Sequence, residues 1–416
     1  MKNSIIPIIV EQHAEEAAFL WLLRDAAVRA PHYSLKDLAH LDDRVEAHID
    51  GLRIAGEAGW EICREALGLE EPGEVFTAAV LALENRNPTH IEEVFAVAEA
   101  VPETVRGLTS AFGWVSPPQL QGTVKDLLVS TSPFRRRIGI AACAVHRVDP
   151  KAALQAAIID DDPLLQARAL RAVGELGRKD LLPVLRQQLR VKDDACRFWA
   201  AWSAVLLGDG GNGLELLKLA AASESAFRES ALQLALRVMD GASAREWLKG
   251  LVQYPDRRRD VVIGTGITGD PMYIPWLIKE MEIPALARIA GEAFTLITGV
   301  NIAYEDLEGE RPESFETGPT ENPEDEDVAM DPDEDLPWPD PRKIQSWWDT
   351  NKGRFQAGVR HLVGKPITVE HCQHVLVSGY QRQRIAAALE LSLIQPGGAL
   401  FEVRTPGWRQ QRLLKV

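Results

Sequence analysis

The sequence is poor in features that mark a secreted, membrane-bound or metal-bearing chain. Its four cysteines (Cys63, Cys143, Cys196 and Cys372) stand far apart with no CxxC pair, which argues against a disulfide framework and a thiolate zinc site. Within helical patterns a free Cys behaves as a small buried apolar residue. Long apolar runs are also missing. The start, MKNSIIPIIVEQHAEE, has one Lys and a short apolar run ahead of Glu11, too little for a signal-peptide core. No other stretch approaches the ~20 residues that a membrane-spanning helix needs. The chain is therefore expected in the cytoplasm, without a membrane segment.

Catalytic signatures are missing as well. No GxSxG, GxxxxGKS, GxxxxGKT or HExxH occurs, nor a Cys with a recognisable His partner, which leaves no nucleophile elbow, phosphate cradle or zinc-protease helix. His371 and His374 stand at i and i+3, but only His361 offers itself as a third ligand, so an ordinary helix surface is the better reading. His32, His40 and His48 are spaced so that they drift around a helix. Asp331, Asp333 and Asp335 resemble the opening of a calcium loop, yet Leu336 stands where that loop needs Gly and Arg342 where it needs Glu. No catalytic residue, metal or cofactor is assigned, and the chain is not expected to be an enzyme.

What is present is an ordinary globular composition, 46% hydrophobic over 416 residues, long for one compact domain. The net charge of −15 is local. Residues 305–340 hold sixteen acids and one Arg, and the rest of the chain balances at 45 acidic and 45 basic residues. That Pro-rich, apolar-poor segment reads as a disordered or loosely held insertion, a flexible arm that steers basic partners or shields a basic surface of the protein itself.

A repeat of about thirty residues organises the middle. ALRAVGELGRKDLLPVLRQQL (169–189) has an apolar helix, a turn at Gly177 to Asp180 and a second amphipathic helix. Related strings occupy 139–158, 200–220, 231–251 and 261–281, with turns at Asp149-Pro150, Gly208 to Gly211, Gly241 and Gly269. Ile140, Leu170, Ala201, Leu232 and Ile263 make an apolar column, and Gly139, Ala169, Ala200, Ala231 and Val262 a mostly small one. Helix pairs that cannot cover their own apolar faces must stack on their neighbours. The expected fold is an all-α solenoid of HEAT-like helix pairs over 71–300. A helical cap at 1–70 precedes it. The acidic insertion at 301–340 and a small helical region at 341–416 follow, with helices at 341–351, near 368–378 and at 381–393.

Candidate binding residues come from columns of mixed polarity, which are expected to be partly exposed. Trp202 falls in the column Ala141, Arg171, Trp202, Gln233, Gly264, and Trp199 in the column Ile138, Arg168, Trp199, Ser230, Val261. Exposed Trp and Arg are typical interface anchors, although a Trp that covers an adjacent helix is the plainer reading. Of Trp347 and Trp348, one is expected to pack inward. Arg382, Arg384 and Trp408 complete the set. Arg135-Arg136-Arg137, Arg168 with Arg171, and Arg257-Arg258-Arg259 recur at first-helix starts, as in a nucleic-acid groove. Asp160 to Asp162, Asp193-Asp194 and Asp256 offset them, so nucleic acid is not the expected partner.

Several strings together resemble a bacterial HEAT-like family often encoded among type VI secretion genes: EQHAEEAAFLW (11–21), LDDRVEAHIDGL (41–52), Trp347-Trp348 with NKGRF (351–355), QRQRIAAALEL (381–391) and TPGWRQQR (405–412). The resemblance implies a cytoplasmic accessory or adaptor that helps an effector or spike-tip protein to be loaded. It supplies no catalytic residues. The leading expectation is a protein-binding scaffold. An enzyme of the helical-repeat lyase or glycosylase kind is the alternative, and it predicts a concave pocket that holds a carboxylate beside aromatic residues, with Trp199 and Trp202 lining it.

Overall fold

The computed structural model describes residues 6–313, 315, 317, 318 and 329–416. In chain order the helices are α1 (Pro7–Ala27), α2 (Leu35–Ala55), α3 (Glu57–Ala66), α4 (Pro72–Asn85), α5 (Pro88–Ala100), α6 (Val105–Trp114), α7 (Pro117–Leu128), α8 (Pro133–Val145), α9 (Ala152–Ala157), α10 (Pro163–Glu175), α11 (Leu182–Gln188) and α12 (Asp194–Leu206). Then come α13 (Asn212–Ala222), α14 (Arg228–Val238), α15 (Gly241–Leu251), α16 (Arg258–Thr268), α17 (Ile274–Glu280), α18 (Pro284–Thr298) and α19 (Pro341–Asn351). A hairpin, β1 (His361–Leu362) and β2 (Lys365–Pro366), precedes α20 (Val369–Ser378), α21 (Gln381–Ile394) and α22 (Gly407–Leu414). The fold is all-α with helix pairs in tandem, as the repeat columns predict. No described helix is long and apolar enough to cross a membrane.

The chain forms two compact units. Met1–Arg29, Tyr33–Gly213 and Gln395–Val416 make the first, Ala30–His32 with Leu214–Ile394 the second. Residues 341–416, read from sequence as one helical region, are thus shared between them.

In the first unit the repeat is visible at both helix ends. Ser132, Asp162 and Asp193 cap α8, α10 and α12 by accepting the N–H of Arg135, Leu165 and Cys196 at 3.4, 2.8 and 2.8 Å, which satisfies an otherwise orphaned first-turn donor. At the other end Arg147 (φ 55°), Gly177 (φ 70°) and Gly208 (φ 93°) are left-handed. The next residue donates its N–H back across the last turn: Val148 to Cys143, Arg178 to Val173 and Asp209 to Ala204, at 2.9, 3.0 and 2.9 Å. Between the ends, Gly139, Ala169 and Ala200 are all buried. A Cβ on Gly174 would lie 2.6 Å from the Ser203 hydroxyl, which itself donates to the Leu170 carbonyl at 2.7 Å. The small residues thus set the α10–α12 spacing.

Residues 395–416 return along these helix ends. A Cβ on Gly177 would sit 2.5 Å from the Gly397 carbonyl oxygen, so the turn needs Gly for space as well as for its φ. Leu400 N–H donates to the Glu175 carbonyl at 3.0 Å, and Arg147 Nε to the Leu400 carbonyl at 2.6 Å. Arg24 Nη2 reaches the Arg404 carbonyl at 2.7 Å. Fully buried Asp42 receives Arg24 Nε on one oxygen and Gly407 N–H on the other, both at 2.6 Å. The core beside this junction stacks Trp21 on Phe76, with ring centroids 5.2 Å apart.

The second unit uses the same device. Gly269 (φ 68°) and Gly299 (φ 73°) end α16 and α18, and the β1–β2 hairpin crosses both. His361 N–H donates to the Gly269 carbonyl at 2.8 Å, and Val363 and Gly364 to the Leu296 and Ile297 carbonyls at 2.7 and 3.0 Å. His371 Nε2 contacts the Leu362 carbonyl at 2.6 Å, so this histidine braces the hairpin. Helices α19, α20 and α21 coincide closely with the three expected from the sequence.

The expected disordered insertion at 301–340 needs correction on its flanks, while its centre, residues 314, 316 and 319–328, lies outside the described residues. Leu307 and Leu336 join the core with Phe294, Ile344 and Trp348. Asp340 N–H donates to the Leu307 carbonyl and Gly309 N–H to the Trp338 carbonyl, each at 2.8 Å. Asp333, only 4% exposed, takes Arg259 on both oxygens at 2.6 and 2.7 Å. Composition hid this because the acids that anchor the flanks look the same in sequence as acids facing solvent.

Gly358 has a positive φ of 76° with open space around it, whereas Gly177 has a positive φ and is crowded. Gly358→Ala is expected to cost about 1 kcal/mol, the conformational term alone, and Gly177→Ala about 3 kcal/mol because the return segment must also move. Urea denaturation of the full chain measures both. Equal losses would show that close approach at Gly177 contributes nothing.

Candidate functional site

Trp199 and Trp202 sit three residues apart on α12, their rings edge to face at 5.5 Å. Trp202 is 7% exposed, which corrects the expectation that its column faces solvent. Its column mates Ala141 and Gly264 are buried too, and Arg171 and Gln233 are half-buried. Long side chains carry their polar ends out of a position whose stem points inward, so mixed polarity did not mean exposure. Trp199 is half-buried, with the Arg171 guanidinium 4.6 Å from its ring centroid.

The other expected residues divide between the units. In the second, Trp348 packs inward on Phe355, centroids 5.5 Å apart, while half-buried Trp347 lies edge-on to Phe294 and donates its Nε1–H to Glu305 at 3.2 Å. Arg382 pairs with Glu292 at 2.7 Å. Arg384 is a further correction: it is fully buried, and its Nε donates at 2.7 Å to the Leu376 carbonyl near the end of α20. It serves as an internal helix cap, and burial lowers its pKa to about 10. In the first unit Trp408 is half-buried, edge-on to Trp114 at 4.7 Å.

The arginine runs are mostly paired one by one. Arg135 meets Glu92, Arg136 meets Asp160, Arg258 meets Glu280 and Arg259 meets Asp333. Arg168 and Arg171 differ. The acids expected to offset them act elsewhere: Asp160 holds Arg136, and Asp162 caps α10. Their partner is Glu175, on the same helix face at i+7 and i+4. Arg171 Nε donates to Glu175 Oε1 at 2.8 Å and Arg168 Nη1 to Oε2 at 2.9 Å.

A second buried acid lies alongside. Glu402, from the return segment, accepts Arg404 Nε at 3.0 Å and Arg147 Nη2 at 3.3 Å. The cluster thus joins four guanidinium groups to two carboxylates. The Glu175 and Glu402 side chains are 4% and 10% exposed, against 17% for Arg147 and Arg168, 30% for Arg171 and 42% for Arg404, so the acids lie deepest and Arg171 and Arg404 face out. Arg171 Nη1 and Nη2 and Arg404 Nη1 make no hydrogen bond among the described residues. Burial alone would raise the Glu175 pKa, but Arg168, Arg171 and Arg147 together overcome it and hold it at about 2. Arg404 and Arg147 likewise outweigh burial and keep Glu402 well below the usual carboxylate range. The spacing of Arg168, Arg171 and Glu175 was a readable signal for half of this cluster. Glu402 and Arg404 come from the far end of the sequence and gave none.

Among the described residues no group of three or more His, Cys, Asp or Glu side chains is placed to hold a metal ion. The four cysteines are buried, and burial pushes the Cys63 and Cys143 thiols up to about 12 and 11.

Because the folded pKa of Glu175 lies below its unfolded value of 4.5, its ion pairs stabilise fully above that value. The stabilisation is lost as pH falls toward 2. Glu175→Gln is therefore expected to cost about 3 kcal/mol at pH 7, and the gap from the parent chain should shrink steadily below pH 4.5 in urea titrations. A gap independent of pH would rule out this ionic role.

No curated protein matches the chain, and no solved structure does. Residues 150–237 match a family model of HEAT repeats; this stretch contains α10 and α12, so the helix pairs that carry Arg168, Arg171, Glu175 and Trp199 are similar to HEAT repeats.

Proposed function

We propose that the chain is a protein-binding scaffold without catalytic activity, and that Arg171, stacked on Trp199 and flanked by Arg168 and Arg404, is its principal contact in the first unit. The supporting observation is the stack itself. Arg171 is fixed by Glu175 behind it and Trp199 below it, while part of its donor fork remains exposed. An anchor already ordered before binding loses little freedom when a partner arrives, and Arg and Trp are the side chains that most often dominate interface energy.

The enzyme alternative asked for a pocket that holds a carboxylate beside these aromatics, and Glu175 is joined to Trp199 through Arg171. Both of its oxygens are engaged by arginines, and its low pKa leaves it ionised at neutral pH. A carboxylate held in that way cannot donate a proton to a leaving group, and as a base it is weak. This favours the binding reading.

The strings that resemble the type VI secretion family support a finer proposal: a cytoplasmic adaptor that helps load an effector or spike-tip protein. Two of those strings meet physically at the Asp42–Gly407 hydrogen bond, which gives them a structural role. Affinity capture from the native host, followed by mass spectrometry, tests the proposal. The parent chain should enrich an effector or spike component, and Arg171→Ala with Trp199→Leu should reduce capture about thirty-fold, as for loss of a ~2 kcal/mol hot spot. Identical capture by a correctly folded double variant would remove this surface from the proposal. Enrichment of unrelated proteins would remove the secretion role.

A further inference from the structure

The proposed binding surface also carries information about what it binds. We infer that the Arg168, Arg171 and Arg404 surface of the first unit accepts an acidic peptide segment of a protein partner, its carboxylates pairing with the exposed guanidinium edges. This rests on the scaffold reading and specifies its chemistry.

Three observations carry it. First, the charges are layered. Glu175 and Glu402 are buried and each is shared by two arginines, so four cations outnumber two anions and the excess is at the surface. Second, the exposed donors are forks. A guanidinium that stacks flat on an aromatic ring keeps its edge free for a carboxylate, which it grips by two parallel hydrogen bonds. Arg171 lies over the Trp199 ring at 4.6 Å, and its Nη1 and Nη2 make no hydrogen bond among the described residues. Third, the return segment brings in Arg404, whose positive charge acts on Arg171, and residues 403–416 hold four cations and no acidic side chain. Asp25 of α1 acts on Arg404, but it already pairs with Arg106.

Nucleic acid fits less well. A phosphate backbone needs cations repeated along a stripe, whereas the other arginine runs are largely neutralised one by one. A compact group of forks suits a few carboxylates on a short segment.

The test uses the full chain and a fluorescein-labelled peptide of alternating Asp and Glu, with a Lys peptide of equal length and a single-stranded oligonucleotide as comparisons, all read by anisotropy at physiological salt. The acidic peptide should bind, weaken at least tenfold with Arg171→Gln and several-fold with Arg404→Gln, and remain unchanged with Arg64→Gln on α3. Arg404 is the more exposed of the two, so its variant keeps the test valid if Arg171→Gln lowers the melting temperature. Failure of the acidic peptide to bind, equal binding by the Lys peptide, or tighter binding by the oligonucleotide would overturn the inference. Host-protein capture that depends on Arg171 while the acidic peptide fails would leave the scaffold standing and discard only this chemistry. Loss of both would discard the two together.

Discussion

The structure depends on a steric constraint at the ends of its inner helices. Helices α8, α10, α12, α16 and α18 stop in a left-handed residue, which lets their last carbonyls be satisfied, and at Gly177, Gly269 and Gly299 another stretch of backbone lies within contact of that residue. A side chain there would fail twice, through its backbone conformation and through lack of space. Once the turns are glycine, the returning chain can hydrogen-bond directly to helix ends, and both units use this. In a repeat stack each helix pair contacts only its neighbours. A strand of chain that crosses several pair ends adds contacts between residues distant in sequence, which a simple stack does not have.

Charge is the second theme, and it is handled at two depths. Deep pairs such as Arg24–Asp42 hold the return segment at a defined register, where a missing partner leaves an uncompensated buried charge. Shallower clusters such as Arg168, Arg171 and Glu175 place the acid beneath the arginines, so a structural ion pair also orients a surface.

Much of the fold was legible in the sequence because helical repeats write their packing locally. The small column led by Gly139 and Ala169, the turn at Gly177 and the helix beginning at Pro341 follow from local spacing alone. Burial at single positions was less legible. Trp202 looked like a surface residue because its column is mixed in polarity, and Arg384 was named as an anchor, yet a long side chain can leave a buried stem or be fully paired inside. The acidic segment was misread at its edges, since nothing local reveals that Asp333 meets Arg259. Half of the arginine cluster lay within one helix and was readable. The other half depends on Glu402 and Arg404 arriving from residues that no spacing rule connects to α10.

The Asp42–Gly407 hydrogen bond also has a consequence for the order of events during synthesis. The first unit is discontinuous: its final strip, Gln395–Val416, is translated only after Leu214–Ile394 of the second unit. A ribosome can thus release a nearly complete second unit while the first still has Asp42, Arg147 and the Gly177 turn uncovered. Domains tend to fold as they emerge, N-terminal first, but here the earliest residues must wait for the latest. Premature termination anywhere before Gly407 would leave the amino-terminal helices exposed to quality control.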